Sequence, residues 1–281
     1  AKITNLYNLD ETIAKEYLSQ FTYPWEALAG ISDFIKELGP TLDPEIYEKR
    51  GEDIWVAKSA TVFDSAYLHG PLIICEDAEI RQCAFIRGSA IVGKGSVVGN
   101  STELKNVIIF NSVQVPHYNY VGDSILGYKS HMGAGSITSN VKSDKTLVVV
   151  KDVYDTKEEI ETGRKKFGAM LGDHVEVGCN SVLNPGTVIG RNSNIYPLSR
   201  VRGVIPANHI FKDKDNVIAS KDVEAVAKKA DHYKTDKDGN FHIADSYGPD
   251  EYTERNRSRT YAGITLMDPK ADIKYDDKHF D

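Results

Sequence analysis

The sequence predicts a mainly β chain: a parallel β-helix built from six-residue sides, preceded by a helical segment and followed by a polar extension. Three observations carry this. Val56, Val62, Leu68, Ile74, Ile80, Ile86, Val92, Val98, Leu104 and Phe110 fall six residues apart. The residue two places before each next apolar one is mostly small, as in Ala60, Ala66, Ala78, Ala84, Ala90, Ser96 and Thr102. Polar residues or glycine hold the places between, as in Lys58, Asp64, Gly70, Glu76, Gln82, Gly88, Lys94 and Asn100. Six residues of α-helix rotate by about 240°, so this spacing makes no helical stripe. A flat half-buried strand would place apolar residues at every second position. One large inward residue per six, with a small residue to fit each corner, is the pattern of a coil with three flat sides per turn.

Residues 1–50 read as helical. Ile13, Tyr17, Leu18 and Phe21 share one helical face, and Leu28, Ile31, Ile35 and Leu38 form a second stripe stopped by Gly39-Pro40. Asp43-Pro44 predicts a third short helix. The segment is too small for its own core and is expected to pack on the next domain.

Residues 51–206 form the repeat domain. After Phe110 the phase slips, placing His117 at a break in the coil. It resumes at Leu126, Met132 and Thr138, and runs again through Leu171, Val177, Leu183, Ile189, Ile195 and Val201. Roughly six to seven turns result. Residues 142–168 interrupt the coil with Lys142, Lys145, Lys151, Lys157, Arg164, Lys165 and Lys166 among acids. An insertion in a solenoid is an external loop, and a basic one is either a solvated loop or a flap over a phosphate-bearing ligand.

Residues 207–281 form the extension. Ser220 to Tyr233 reads as a helix, and Asp236-Lys-Asp-Gly-Asn-Phe reads as a hairpin turn rather than a calcium loop. The helical segment and the extension are candidates to cap the two ends of the coil.

A net charge of −7 argues against a nucleic-acid partner. No apolar run approaches a membrane span and no signal-peptide core is present, so a soluble cytoplasmic protein is expected. Cys75, Cys83 and Cys179 lack metal-ligand spacing and read as buried small residues in a reducing compartment.

His117 is a candidate base, because an imidazole can take a proton from an attacking amine. The surrounding motifs are His117-x-x-Tyr120-Val-Gly-Asp123, Met132-Gly-Ala-Gly-Ser-Ile-Thr138, Asn140, Gly163-Arg-Lys-Lys-Phe-Gly-Ala169 and Val98-Gly-Asn100. With these, residues 56–201 resemble the acetyltransferase domain of bifunctional N-acetylglucosamine-1-phosphate uridyltransferase/glucosamine-1-phosphate acetyltransferase. They also resemble the archaeal-type sugar-1-phosphate nucleotidylyltransferases that carry an amino-sugar acetyltransferase half.

The resemblance implies a left-handed coil, a homotrimer and acetyl-coenzyme A as co-substrate. It implies His117 as the base and the backbone N–H of Ala134 as the oxyanion donor. Arg87 and Lys105 would bind a sugar 1-phosphate, one as a forked and one as a point cation. Tyr120 and Asn140 would position the sugar, and Cys179 and Pro197 would contact coenzyme A. His131 stands where the family has asparagine, as a substituted sugar ligand, a second titrating group or the mark of another acceptor. The loop lysine of the family has Lys142, Lys145 and Lys166 as candidates. No Gly-rich, Arg-containing nucleotide loop follows a first strand, so nucleotidyltransferase activity is not expected. The reading is therefore an acetyltransferase acting on the amine of an amino sugar 1-phosphate. Its rivals are an inactive scaffold or sugar-nucleotide-binding relative, and a zinc enzyme using His117, His131 and His174 between subunits.

Overall fold

The computed structural model describes residues 1–152 and 156–219, with the backbone of 233–235 and 241–243. Short parallel strands stack in register into a coil with three faces. On the first face, Ile54–Ala57, Leu72–Ile74 and Ala90–Val92 are followed by residues 107–109 and 124–126, then Ala169–Leu171, Thr187–Ile189 and Val204–Ile205. The second runs through Thr61–Val62, Glu79–Ile80, Val97–Asn100, Gln114–His117, His131–Met132, Glu176–Val177, Asn194–Ile195 and His209–Asp213. The third runs through Tyr67–Leu68 and Phe85–Ile86, residues 103–104 and 120–121, then Ile137–Thr138, Val182–Leu183 and Arg200–Val201.

Most corners turn through a residue in the left-handed region, which recurs at Asp77, Cys83, Ser89, Ser101, Asn106, Ser112, Tyr118, Asp123 and Lys129. The small residues are buried inside. Where they carry hydroxyls, these bond back to the coil, as Ser96 Oγ does to the Phe110 carbonyl at 2.8 Å and Thr102 Oγ1 to the Val115 carbonyl at 2.9 Å. A hydroxyl with a backbone acceptor can be buried without an unpaired polar atom.

The phase slips as expected, by one residue in each of two sides, but the coil does not break. Ile109, not Phe110, pairs with Val92, and Leu126 pairs with Ile109. Val115 and Val121 are fully buried and continue the inward series. The sides from Leu104 to Ile109 and from Val121 to Leu126 are one residue short, their corners turning at Asn106 and Asp123. Phe110 consequently points out of the coil, where Tyr7 covers it at 5.0 Å between ring centroids. His117 therefore ends a regular strand of the second face rather than marking a break.

The first face explains the N-terminal segment. Its outward row, Ile73, Ile91, Ile108, Ile125 and Met170, is as apolar as its inward row and equally buried. Such a row needs a cover, each side chain gaining roughly 1.5–3 kcal/mol from burial. The cover comprises helices α1 (Ile3–Leu6), α2 (Lys15–Leu18) and α3 (Ile31–Leu38), with a 3₁₀ turn at Pro24–Ala29 that opens with the Thr22 and Tyr23 amides donating to the Glu26 carboxylate. Trp25 packs on Phe167 at 5.6 Å, and the Asn8 amide donates to Asp173 Oδ2 at 2.7 Å. The segment thus lies along a face of the coil instead of capping an end.

Ile13 and Phe21 fall outside α2, and Leu28 precedes α3. The third helix is absent. Asp43 makes a single turn, with the Tyr47 amide donating to its carbonyl, because Tyr47–Gly51 is taken up in an antiparallel pair with Ile54–Ala57.

The insertion forms a hairpin, Val149–Lys151 against Glu159–Glu161, with Val148, Val150 and Phe167 buried. It leaves after Asn140 and rejoins beside it, the Phe167 amide donating to the Asn140 carbonyl at 2.9 Å. Of the cysteines only Cys75 is buried. Cys83 and Cys179 are exposed because both belong to corner turns and not to the inward rows, which corrects the reading of all three as core residues. In the extension, Tyr233–Thr235 pairs antiparallel with Phe241–Ile243, and the turn read between them lies outside the described residues. The helix read from Ser220 lies outside the described residues, except that Tyr233 is in a strand. No helix among the described residues is long and apolar enough to cross a membrane.

Candidate active site

The sequence-predicted residues other than His131 and the loop lysines fall into two groups on opposite borders of the third face. The first group lies along the corner between the third and first faces. Asn106, Asp123 and Asn140 stack there on successive coils. Asn106 Nδ2 donates to Asp123 Oδ1 at 2.8 Å, and Asn140 Nδ2 donates to Asp123 Oδ2 at 2.6 Å and to the Tyr120 hydroxyl at 3.2 Å. Lys105 Nζ is 3.6 Å from Asp123 Oδ2, and Asp123 is almost fully buried. Arg87 occupies the place of Lys105 one coil earlier and pairs with Glu103 at 2.8 Å. Burial raises the pKa of the Tyr120 phenol, and the charges of Asp123 and Glu103 add to it.

Partial burial lowers the pKa of Arg164, at the return of the hairpin, and the charges of Asp123 and Tyr17 oppose this in part. Arg87, Lys105, Tyr120 and Asn140 are thus brought together. Glu103, Asn106 and Asp123 join them unannounced by the repeat. Asp123 closes the motif that begins at His117, and its recurrence 17 residues after Asn106, one coil apart, is the signal that could have found it.

The second group follows the corner between the second and third faces. The Gly135 amide donates to the His117 carbonyl at 3.0 Å, the Asn180 amide to the Ala134 carbonyl at 2.8 Å, and the Leu198 amide to the Cys179 carbonyl at 2.9 Å. His117, Ala134, Cys179 and Pro197 therefore run down one edge on consecutive coils. Glycine is needed around Ala134: a Cβ on Gly133 would stand 2.7 Å from the Cys179 amide nitrogen, and Gly135 turns at φ +71°. The Gly133 and Gly135 amides are both bonded, whereas the Ala134 N–H has no hydrogen-bond partner among the described residues.

Buried Asn119 ties the two turns. Its Oδ1 accepts from the His117 amide at 3.1 Å, and its Nδ2 donates to the Gly133 and Ser136 carbonyls at 2.9 and 3.0 Å. The His117 side chain is exposed at the end of its strand.

His131 joins neither group. It lies on the second face, Nδ1 to Glu176 Oε2 at 2.8 Å, and His174 packs edge-on against Tyr128. Of the candidate loop lysines, Lys142 pairs with Asp144 at 3.4 Å, while Lys166 is exposed with its backbone bridged to Val141.

The model of the GMPPB C-terminal domain family matches residues 68–165. The bifunctional protein GlmU of Methanococcus vannielii is 31% identical over 207 residues, covering 73% of this chain and 49% of that protein. The chain resembles the hexapeptide-repeat acetyltransferase domain of these bifunctional proteins. The bifunctional sugar-1-phosphate nucleotidylyltransferase/acetyltransferase of Sulfurisphaera tokodaii is 33% identical over 169 residues, covering 54% of this chain and 41% of that protein. The chain spans about half the length of the curated relatives it matches. Among solved structures, the polySia specific acetyltransferase NeuO aligns over 70% of this chain and 91% of its own, at 16% identity and a TM-score of 0.41.

Proposed function

We propose that this protein is an acetyltransferase that moves an acetyl group from acetyl-coenzyme A to the amine of an amino sugar 1-phosphate. The observation that carries the reading is the edge on which His117 adjoins Ala134, an exposed imidazole one coil from an unengaged backbone N–H. His117 takes a proton from the acceptor nitrogen as it attacks the thioester carbon. The Ala134 N–H receives the oxygen that becomes negative. Collapse breaks the carbon–sulfur bond, and the leaving thiolate takes the proton from His117. Products are an N-acetyl sugar and free coenzyme A. The edge continues past Cys179 and Pro197, which would carry the coenzyme A arm.

Lys105, Arg87, Tyr120 and Asn140 hold the sugar phosphate in this reading. Their separation from His117 by the width of a face favours a homotrimer, in which the third face of one copy meets the His117 edge of another. A cytoplasmic location suits these soluble small-molecule substrates.

One observation favours a second reading. Arg87 and Lys105 are both paired with carboxylates, as they would be in a binding scaffold that has lost its phosphate. The test is free-thiol release from acetyl-coenzyme A with glucosamine, galactosamine and their 1-phosphates. Release with a 1-phosphate supports the enzyme. No release, together with no heat of coenzyme A binding, supports the scaffold.

A further inference from the structure

The row that contains Lys105 and Arg87 does not stop at Arg87. The His69 amide donates to the Ile86 carbonyl as the Arg87 amide donates to that of Leu104, so His69, Arg87 and Lys105 occupy one register position on three successive coils. Strands stack about 4.8 Å apart, which sets the spacing of the row. His69 Nδ1 is 2.7 Å from the Gly70 carbonyl, which turns Nε2 away from the backbone.

An open cleft of about 520 Å³ begins at His69. Its walls include Lys36 of α3, Ile54, Leu68 and Pro71, with Glu52 and Asp53 on the side away from the cationic row. Next to it on the third face, Tyr67 and Phe85 stand exposed and edge-on to each other at 5.5 Å. Two exposed rings on the first coils have no covering element among the described residues, unlike the outward row of the first face.

A sugar 1-phosphate would use Lys105 and Arg87 and leave this end idle. A row of donors longer than one phosphate, opening into a cleft with apolar walls and acids beside exposed rings, matches a longer ligand. We propose that the acceptor is a nucleoside diphosphate-linked amino sugar. Its sugar-side phosphate lies at Lys105 and Arg87, its second phosphate at His69 and Lys36, and its nucleoside in the cleft. Glu52 and Asp53 accept hydrogen bonds from ribose hydroxyls, and Tyr67 offers a stacking face to the base. The proposal rests on the reading that Lys105 and Arg87 hold the sugar phosphate.

The test compares binding of N-acetylglucosamine 1-phosphate with that of UDP- and GDP-N-acetylglucosamine by calorimetry. The wild type and a His69→Ala/Lys36→Ala variant are used, both side chains being exposed. The expected result is that one nucleotide sugar binds the wild type about tenfold or more tighter than the 1-phosphate. The double variant should lose that advantage and keep its affinity for the 1-phosphate. Equal binding of all three, binding of no nucleotide sugar, or an equal loss for every ligand overturns the proposal. Thiol release keeps this outcome apart from that of the acetyl-transfer reading. Variant-sensitive nucleotide-sugar binding without release from acetyl-coenzyme A and UDP- or GDP-glucosamine removes acetyl transfer but leaves the seat. Equal kcat/KM for glucosamine 1-phosphate and its nucleotide-linked forms leaves acetyl transfer and removes the seat.

Discussion

Lys105 and Asp123, on successive coils, are held 3.6 Å apart between Nζ and Oδ2, with two asparagine side chains donating to the same carboxylate. The carboxylate is the acceptor on which three neighbours depend. Asp123→Ala removes one acceptor from each of Asn106 and Asn140, which keep the Leu28 carbonyl and the Tyr120 hydroxyl, so the loss is about 1 kcal/mol for each hydrogen bond. The midpoint of urea unfolding should fall accordingly, and KM for the phosphorylated acceptor should rise because Lys105 loses its fixed position. An unchanged midpoint would mean that water replaces the carboxylate.

His117→Ala tests the base. The side chain is exposed and the residue is tied to Asn119 through its own backbone amide, so the fold should be indifferent to loss of the imidazole. Turnover should fall about 10²- to 10⁴-fold, the range of a positioned proton acceptor, with the thermal midpoint unchanged. Unchanged turnover would remove the mechanism.

Thiol chemistry distinguishes the cysteines. Burial pushes the Cys75 thiol up to about 12, so it stays protonated and shielded at neutral pH. Cys83 and Cys179 are exposed. A thiol-disulfide reagent at pH 8 should titrate these two in the native protein and reach Cys75 only after denaturation. If coenzyme A lies along the His117 edge, saturating amounts should slow Cys179 and not Cys83.

Phe110 measures how tightly the N-terminal segment is held. It is fully buried beneath Tyr7, outside the coil. Phe110→Ala should cost about 3–5 kcal/mol, the usual loss for a buried phenylalanine. Protease cutting within residues 1–45 should quicken before cutting in the coil. Equal loss of both would place Phe110 in the coil's own core.

The coil is legible in the sequence because each inward residue is repeated by the next, so one misread side leaves the pattern intact. Phe110 shows the limit. A five-residue side puts the inward residue at Ile109, and both positions are apolar. Only the partner across the coil separates them. The outward row from Ile73 to Met170 is hidden for a related reason, lying within hexads already explained by their inward members. The site is legible where motifs run along the chain, as in His117-x-x-Tyr120. The pairing of Arg87 with Glu103 crosses one coil, 16 residues away, and has no local signature. Asn119 gives no signal because a buried asparagine and an exposed one look alike in a turn.

The hairpin that interrupts the coil departs and returns beside Asn140, with Val141 bridged to Lys166. Thr138 ends one face and Ala169 starts the next in the order an uninterrupted chain would take. The frame is therefore blind to what is spliced between them. The outer part of this hairpin can be lengthened, shortened or recharged without re-registering a single coil.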